Sequence, residues 1–215
     1  MAALGIGILG AARIADKAVI DPARVVPQCQ ITALAARDRA RAEAFAAKHR
    51  IGSVLDTYDQ VIASDAVDLV YNPLPINLHA EWTIKALEAG KPVLCEKPFA
   101  MNADEARAML AAAEASGQRL IEAFHYRYHP AFETCLAWLV ADEIGELKEI
   151  HGAFDVEIKD NGTEIRHRVE TGGGAMMDLG CYPLHWALSV TGEAPSEIEA
   201  SATLTKAGVD ESMRA

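Results

Sequence analysis

Long apolar runs are missing from this chain. Nothing in its 215 residues approaches the roughly 20 consecutive apolar positions that a membrane helix needs. No basic-then-apolar leader precedes the first strand-like segment, so a cytoplasmic chain without a membrane partner is expected. Positive charge is also short: 20 Lys and Arg stand against 31 Asp and Glu, for a formal net charge of -11. Such a chain repels phosphate backbones, which excludes general nucleic-acid binding and leaves room only for local phosphate sites. Cysteine is sparse and scattered. Cys29, Cys95, Cys135 and Cys181 form no C-x-x-C pair and have no histidine at zinc-finger spacing, so neither a metal site nor disulfides are expected.

What is present is ample core material, with 51% hydrophobic and 24% charged residues. The first half alternates short β-rich runs, at residues 4–9, 31–36, 66–71, 92–95 and 119–123, with helical patterns. One helix opens at the N-cap Asp38 and runs to about His49, a second covers about 77–89, and a third covers 103–116 and stops at Gly117. Repeated strand-helix-strand units require right-handed crossovers and predict a doubly wound parallel sheet over residues 1–123, an α/β nucleotide-binding domain of the Rossmann type. From residue 124 the rhythm changes. A helix at about 131–141, a strand at 147–158, a helix at about 176–190 and a strand at 196–205 predict an α+β domain over 124–215. Its sheet would be open and mainly antiparallel, because "TLTKAGVDESMRA" reads as a strand, a turn and the start of a partner strand. Such an edge calls for completion by further chain or by another subunit.

The segment "GIGILGAARIA" contains a literal G-x-G-x-x-G at Gly5, Gly7 and Gly10. The dinucleotide fingerprint must follow its strand, however, and Gly5 and Gly7 lie inside the apolar run 4–9. The turn that matters is therefore Gly10-Ala11-Ala12-Arg13-Ile14-Ala15, with a single fingerprint glycine kept. After the second strand, "AARD" places Arg37 where an acidic residue would hold the ribose of NAD; an arginine there suits the 2'-phosphate of NADP. Asp38 next door could still reach a ribose, which keeps NAD open. Two further loops leave the carboxyl ends of strands: "NPLPINLH", with Pro73, Leu74 and His79, and "EKP", with Glu96 and Lys97. Pro98 holds Lys97 extended, and the Lys97–Pro98 bond is open to a cis form. In "GGGAMMDLGCYPLH", Asp178, Tyr182 and His185 share one face if the segment is helical, as a buried network or as a site. The glycines ahead of them would admit a ligand.

These segments, with "EAFHYRYHP", carry a resemblance to the family of glucose-fructose oxidoreductase, inositol dehydrogenase and MocA proteins. The likeness is to the branch holding D-xylose dehydrogenases and dimeric dihydrodiol dehydrogenase, and it spans nearly the whole chain in the family's order. It implies that Lys97 is the active-site lysine, Asp178 the aspartate, Tyr182 the acid/base position and His79 the histidine after the proline-rich loop. Gly10, Ala12, Arg13, Ile14, Arg37, Pro73, Leu74, His79 and Glu96 would then serve the cofactor, NADP or alternatively NAD. Departures exist: Ile76 stands where asparagine is frequent, and Ala12 replaces the second fingerprint glycine. Family members also run longer and complete a broad sheet that mediates dimers, so a homodimer or higher oligomer is implied.

The implied reaction is reversible hydride transfer between a nicotinamide and a secondary alcohol of an aldose, polyol or cyclic diol. Free lysine and tyrosine titrate near ~10, so either needs about three units of depression, about 4 kcal/mol, to act as a base at neutral pH. A facing Lys97 and Tyr182 would supply part of it, with Asp178 holding the hydroxyl or the lysine. Which of the pair takes the proton stays open. Arg127, His129 and His185 are candidate substrate contacts, with a structural role equally open for Arg127 and His129. The rival readings are a cofactor-binding scaffold or redox sensor without turnover, and a lyase or hydrolase that keeps its NAD bound.

Overall fold

The computed structural model describes residues 2–159 and 161–215. Contacts divide the chain into two compact units, Met1–Ala123 and Phe124–Ala215. In the first unit β1 (Leu4–Leu9) is followed by a π-turn (Asp16–Ile20) running into α1 (Asp21–Val25), β2 (Cys29–Ala35), α2 (Arg39–His49) and the two-residue β3 (Ser53–Val54). Then come α3 (Tyr58–Ala63), β4 (Leu69–Asn72), α4 (His79–Glu88), β5 (Val93–Cys95), α5 (Ala103–Ser116) and β6 (Leu120–Glu122). All six strands pair in parallel, in the order β3-β2-β1-β4-β5-β6.

The pleat of β1 shows how the two faces are filled. Ile6 and Ile8 pack with Val19 and Ile20 ahead of α1 and with Ala42 and Ala46 of α2. Leu9 points the other way, into a cluster with Val61 and Ile62 of α3, Leu87 of α4 and Met109 of α5. Burying each of these large side chains contributes about 1.5–3 kcal/mol, so a strand buried on both faces needs a nearly continuous apolar run. Gly5 and Gly7 lie on the Leu9 face. A Cβ on Gly7 would stand 2.6 Å from Val61 Cγ1, and one on Gly5 would stand 2.1 Å from the Ala66 carbonyl oxygen. These two glycines are packing residues, there so that α3 and the turn before β4 can press against the strand.

Local signals set the helix ends. The Asp38 carboxylate accepts the Arg41 N–H at 3.0 Å, Thr57 and Gln60 form a reciprocal capping box on α3, and Asn102 accepts the Glu105 N–H. Gly117 closes α5 at φ +67°, in the left-handed region that favours glycine. The segment Asp16–Val25, β3 and α3 are absent from the sequence expectations; each is short, and packing rather than periodicity holds it.

In the second unit α6 spans Pro130–Val140, and a π-turn at Met176–Gly180 runs into α7 (Cys181–Thr191). An antiparallel pair follows, β7 (Ser201–Leu204) and β8 (Asp210–Arg214). Two expectations need correction here. The strand expected at 147–158 does not form, and the one expected at 196–205 shrinks to Ser201–Leu204. A strand requires a neighbour for its backbone hydrogen bonds. Among the described residues only β7 and β8 provide one in this unit, so 147–158 has β-type composition without a ladder. Among the described residues no helix is long and apolar enough to cross a membrane, and all four cysteines are free thiols.

Candidate active site

Winding of the first unit's sheet reverses between β1 and β4, and ligands of such sheets bind beyond the carboxyl ends of the strands at that point. The turn after β1 begins at Gly10, with φ +91°. Its N–H bonds to Ala35 O of β2 at 2.7 Å, and a Cβ there would stand 3.0 Å from Leu74 Cδ2. Only glycine suits both the backbone and the space. Ala11 and Ala15 are buried, while Arg13 and Ile14 face outward. Arg41 Nη2 donates to Ala11 O at 2.8 Å and ties α2 to this turn. The residues following β2 divide their work: Asp38 caps α2, Arg39 pairs with Glu43 and Asp56, and Arg37 is exposed.

The loop after β4 hangs on Asn72, which is fully buried. Its Nδ2 donates to His79 O at 3.3 Å and to Thr83 Oγ1 at 3.1 Å, and its Oδ1 accepts the Leu74 N–H at 3.3 Å. Pro73 and Leu74 are buried against this frame. His79 is 1% exposed, with Nε2 at 2.8 Å from Leu74 O and Nδ1 at 3.0 Å from Pro98 O. Both ring nitrogens thus face backbone carbonyls. Burial pulls its pKa down, opposed by those carbonyl bonds and by the negative charge of Glu105.

The loop after β5 carries a cis Lys97–Pro98 peptide, with Lys97 half-buried. Glu96 is held from below: the Tyr71 hydroxyl donates to Oε1 at 2.6 Å, and the Lys97 N–H donates to Oε2 at 3.3 Å. Burial and the adjacent Glu96 charge push the Tyr71 hydroxyl well above the ordinary range of a phenol. Glu122, at the end of β6, accepts from the Phe99 backbone in the same loop. Burial pushes its carboxyl up to about 7; the Phe99 contact opposes this, and the neighbouring Glu96 charge adds to it.

A folded-state value above the unfolded one makes Glu122 stabilising while it is protonated, and that contribution disappears as pH rises from about 4.5 through 7. Glu122→Gln, neutral throughout, is therefore expected to raise stability at pH 8 by about 1–2 kcal/mol, discounted for the group's remaining exposure, and to change little at pH 4. Thermal melts of both proteins at the two pH values check this. Equal differences at both would reject it.

The glycine-rich stretch of the second unit is occupied by the protein itself. A Cβ on Gly174, at φ +120°, would stand 1.9 Å from Asp210 Oδ1 of β8, and one on Gly173 would stand 2.4 Å from Arg166 O. Asp210 Oδ2 accepts the Met176 N–H at 2.5 Å, a carboxylate on the amino end of the helix, where the macrodipole favours it. The expectation that these glycines admit a ligand is corrected to that extent: they admit Asp210 and the 166–168 backbone. Asp178 forms an ion pair with Arg166 Nε at 3.1 Å. Tyr182, 9% exposed, sits among aromatic rings, with Phe124 and Phe154 edge-on at 5.3 Å and Trp186 at 6.3 Å. His185 Nδ1 contacts the Tyr126 hydroxyl and Ser189 Oγ, and its ring lies 4.1 Å from Phe124. Burial, with the nearby Arg127 charge, lowers its pKa. Arg127 and His129 are exposed, and His129 Nδ1 accepts the Ala131 N–H to cap α6.

Sequence reasoning passed over Asn72, Tyr71, Glu122, Arg166 and Asp210. Asn72 alone left a trace, a polar residue ending an apolar strand just before a proline. The others act through partners distant in the chain.

Comparison with known proteins completes the picture. Residues 4–124 match the model described as an oxidoreductase family with an NAD-binding Rossmann fold, and residues 132–215 match the GFO/IDH/MocA C-terminal domain. D-xylose 1-dehydrogenase (NADP(+)) 2 of Haloferax volcanii is 40% identical over 96% of this chain and 63% of its own length. Trans-1,2-dihydrobenzene-1,2-diol dehydrogenase of Xenopus tropicalis is 36% identical over 86% of this chain and 56% of its own. Among solved structures, KijD10, a 3-ketoreductase from Actinomadura kijaniata, superposes with a TM-score of 0.91 at 32% identity, over 98% of this chain and 65% of that one. It was solved with one tyrosine changed to phenylalanine, in complex with TDP-benzene and NADP. The chain spans less than two thirds of the length of each of these relatives. With both of its units matched in order, the chain belongs to the GFO/IDH/MocA oxidoreductase family.

Proposed function

We propose that this chain carries the cofactor-binding and reactive residues of an NADP-dependent dehydrogenase or reductase acting on a secondary alcohol of a sugar, polyol or cyclic diol. The observation that carries this reading is the arrangement at the carboxyl ends of the adjacent strands β1, β4 and β5. The Gly10 turn, the 72–74 loop and Lys97 all leave the sheet there. The names of the relatives support the same class: one is an NADP(+)-dependent sugar dehydrogenase, one oxidises a dihydrodiol, and one was solved with NADP.

The residues present fit the cofactor. Gly10 opens the turn at positive φ, and a side chain there would strike Leu74. The turn 10–15, with Ala12, Arg13 and Ile14, would lie along the pyrophosphate; Pro73, Leu74 and Glu96 would border the nicotinamide end. When bound, the nicotinamide supplies the hydride acceptor or donor. Lys97 and Tyr182 are proposed to exchange the proton of the substrate hydroxyl, through Nζ and the phenolic oxygen. Asp178, paired with Arg166, would hold the hydroxyl or the lysine. His185 and Arg127 are proposed to border the substrate, and His129 contributes as the cap of α6. Cytoplasmic location and a homodimer or higher oligomer through the C-terminal sheet belong to the same proposal, the latter read out by light scattering on the purified protein.

Cofactor choice is assigned to Arg37 because Asp38, the acid that would favour NAD, is committed to α2. Arg37→Ala is expected to weaken NADP binding by about tenfold or more and to leave NAD within a few-fold, since a charge-assisted bond to phosphate is worth about 1.5–3 kcal/mol. Fluorescence titration with both cofactors measures this. Parallel weakening of both would remove Arg37 from the 2'-phosphate. A panel of aldoses and cyclic diols with NADP tests the function itself. Cofactor binding without turnover of any substrate would favour a scaffold.

A further inference from the structure

His79 holds two loops at once. Its ring bridges the 73–75 loop, through Leu74 O at 2.8 Å, and the loop of the cis Lys97–Pro98 peptide, through Pro98 O at 3.0 Å. The side chain is buried and lies at the start of α4. Both partners are carbonyl oxygens, which only accept. A neutral imidazole carries one N–H, so it can donate to one of these carbonyls and must present a lone pair to the other; the imidazolium can donate to both.

We propose that His79 is a positioning residue that clamps the 73–75 loop to the Lys97 loop, and that it grips both only when both ring nitrogens carry protons. With one proton, the ring holds either loop and releases the other. This rests on the reading that these two loops carry the cofactor contacts and the reactive lysine.

The surroundings support a clamp whose grip is conditional. The charge acting on the ring comes from Glu105 of α5, which favours the imidazolium and itself accepts the Met101 N–H. From β4, the Asn72 side-chain amide donates to the backbone carbonyl of His79 and to Thr83 Oγ1 of α4; both are neutral. Cys95 of β5, beside Thr83, is a thiol pushed up to about 12 by burial, so it stays uncharged. In the clamped loop Glu96 is engaged by Tyr71, Glu122 reaches Phe99, and the Phe99 backbone also favours the imidazolium. Burial works against the second proton. The doubly gripped state therefore belongs to the acid side of the ordinary histidine range.

Two substitutions separate the two grips, because the asparagine amide nitrogen stands near Nδ1 and the glutamine amide nitrogen near Nε2. His79→Asn keeps a donor toward Pro98 O and loses Leu74 O. His79→Gln does the reverse. The expected result is a split: His79→Asn weakens NADP about tenfold with kcat within about threefold, and His79→Gln lowers kcat about tenfold with NADP affinity little changed. The wild type is expected to bind NADP several-fold more tightly at pH 5.5 than at pH 8, with a step that both variants lack. Both variants altering the same parameter together, or an unchanged pH step in either, would overturn the clamp.

A measurement independent of cofactor and turnover is nitrogen NMR of the ring in the Glu122→Gln protein, where no carboxyl titrates against the Phe99 backbone. Both nitrogens should become protonated in one titration that also moves the amide signals of Leu74 and Phe99. A ring fixed in one tautomer across that range, with those amides still, would overturn the proposal even if the His79 variants fail to fold. Failure of the wild type to bind NADP would instead reject the cofactor reading, and the ring titration would then decide the clamp alone.

Discussion

Lys97→Met is expected to lower kcat/KM for the alcohol substrate by about 10³-fold, within the 10²–10⁴ that a positioned acid or base contributes. Methionine keeps the length and the apolar stem of lysine and removes the ammonium. The loop should largely retain its shape, because three of its ties run through other groups: Tyr71 to Glu96, His79 to Pro98 O and Phe99 to Glu122. NADP affinity is therefore expected to stay within a few-fold. The diagnostic result is the combination of intact cofactor binding with lost turnover. Tyr182→Phe should show the same combination, since the ring would keep its edge-on contacts with Phe124 and Phe154 while losing the hydroxyl. If Lys97→Met turned over at a near wild-type rate, the lysine would have no part in the proton transfer, and the chemistry would have to be sought elsewhere.

Gly5→Ala is expected to cost about 3 kcal/mol or more of stability, at the upper end of what overpacking does to a core. Its Cβ would stand 2.1 Å from Ala66 O and 3.1 Å from Thr32 Cγ2. The first of these is a backbone atom and has no rotamer to yield with. The Gly5 N–H also donates to Asp68 Oδ2 at 2.7 Å, and the Asp68 N–H donates to Gly5 O at 2.7 Å, so the strand cannot slide away without losing both bonds. Gly52→Ala is the control: nothing lies within 4 Å of its added methyl and its φ is not in the left-handed region, so a gain of up to about 1 kcal/mol is expected from the less flexible unfolded chain. Urea unfolding of the two variants beside the parent measures the contrast. A Gly5→Ala protein as stable as the parent would mean that β1 and the 66–68 turn are not in close contact.

Much of the first unit was legible because its signals are local. A strand buried on both faces must be apolar throughout, so residues 4–9 were bounded correctly, and from those bounds followed the removal of Gly5 and Gly7 from the fingerprint. The cap at Asp38 and the stop at Gly117 depend only on neighbouring residues and were equally plain. The segment 147–158 was misread for the complementary reason: its residues favour a strand, but a strand is a relation between two segments, and no pattern within one segment reports whether its partner is there. The same limit hid Asp210 behind Gly174, some 36 positions earlier in the chain.

Sequence alone therefore determined the parallel α/β domain and the position of the Gly10 turn, since each is written in a short stretch by burial or turn geometry. Tertiary structure alone decided what the side chains spend their hydrogen bonds on. Asp38 went to a helix end, Gly173 and Gly174 to the 166–168 backbone and a neighbouring carboxylate, and His79 to two backbone carbonyls from separate loops. The reason is that a buried polar group must find a partner wherever the fold has placed one, and that placement is fixed by the packing of elements far apart in the chain.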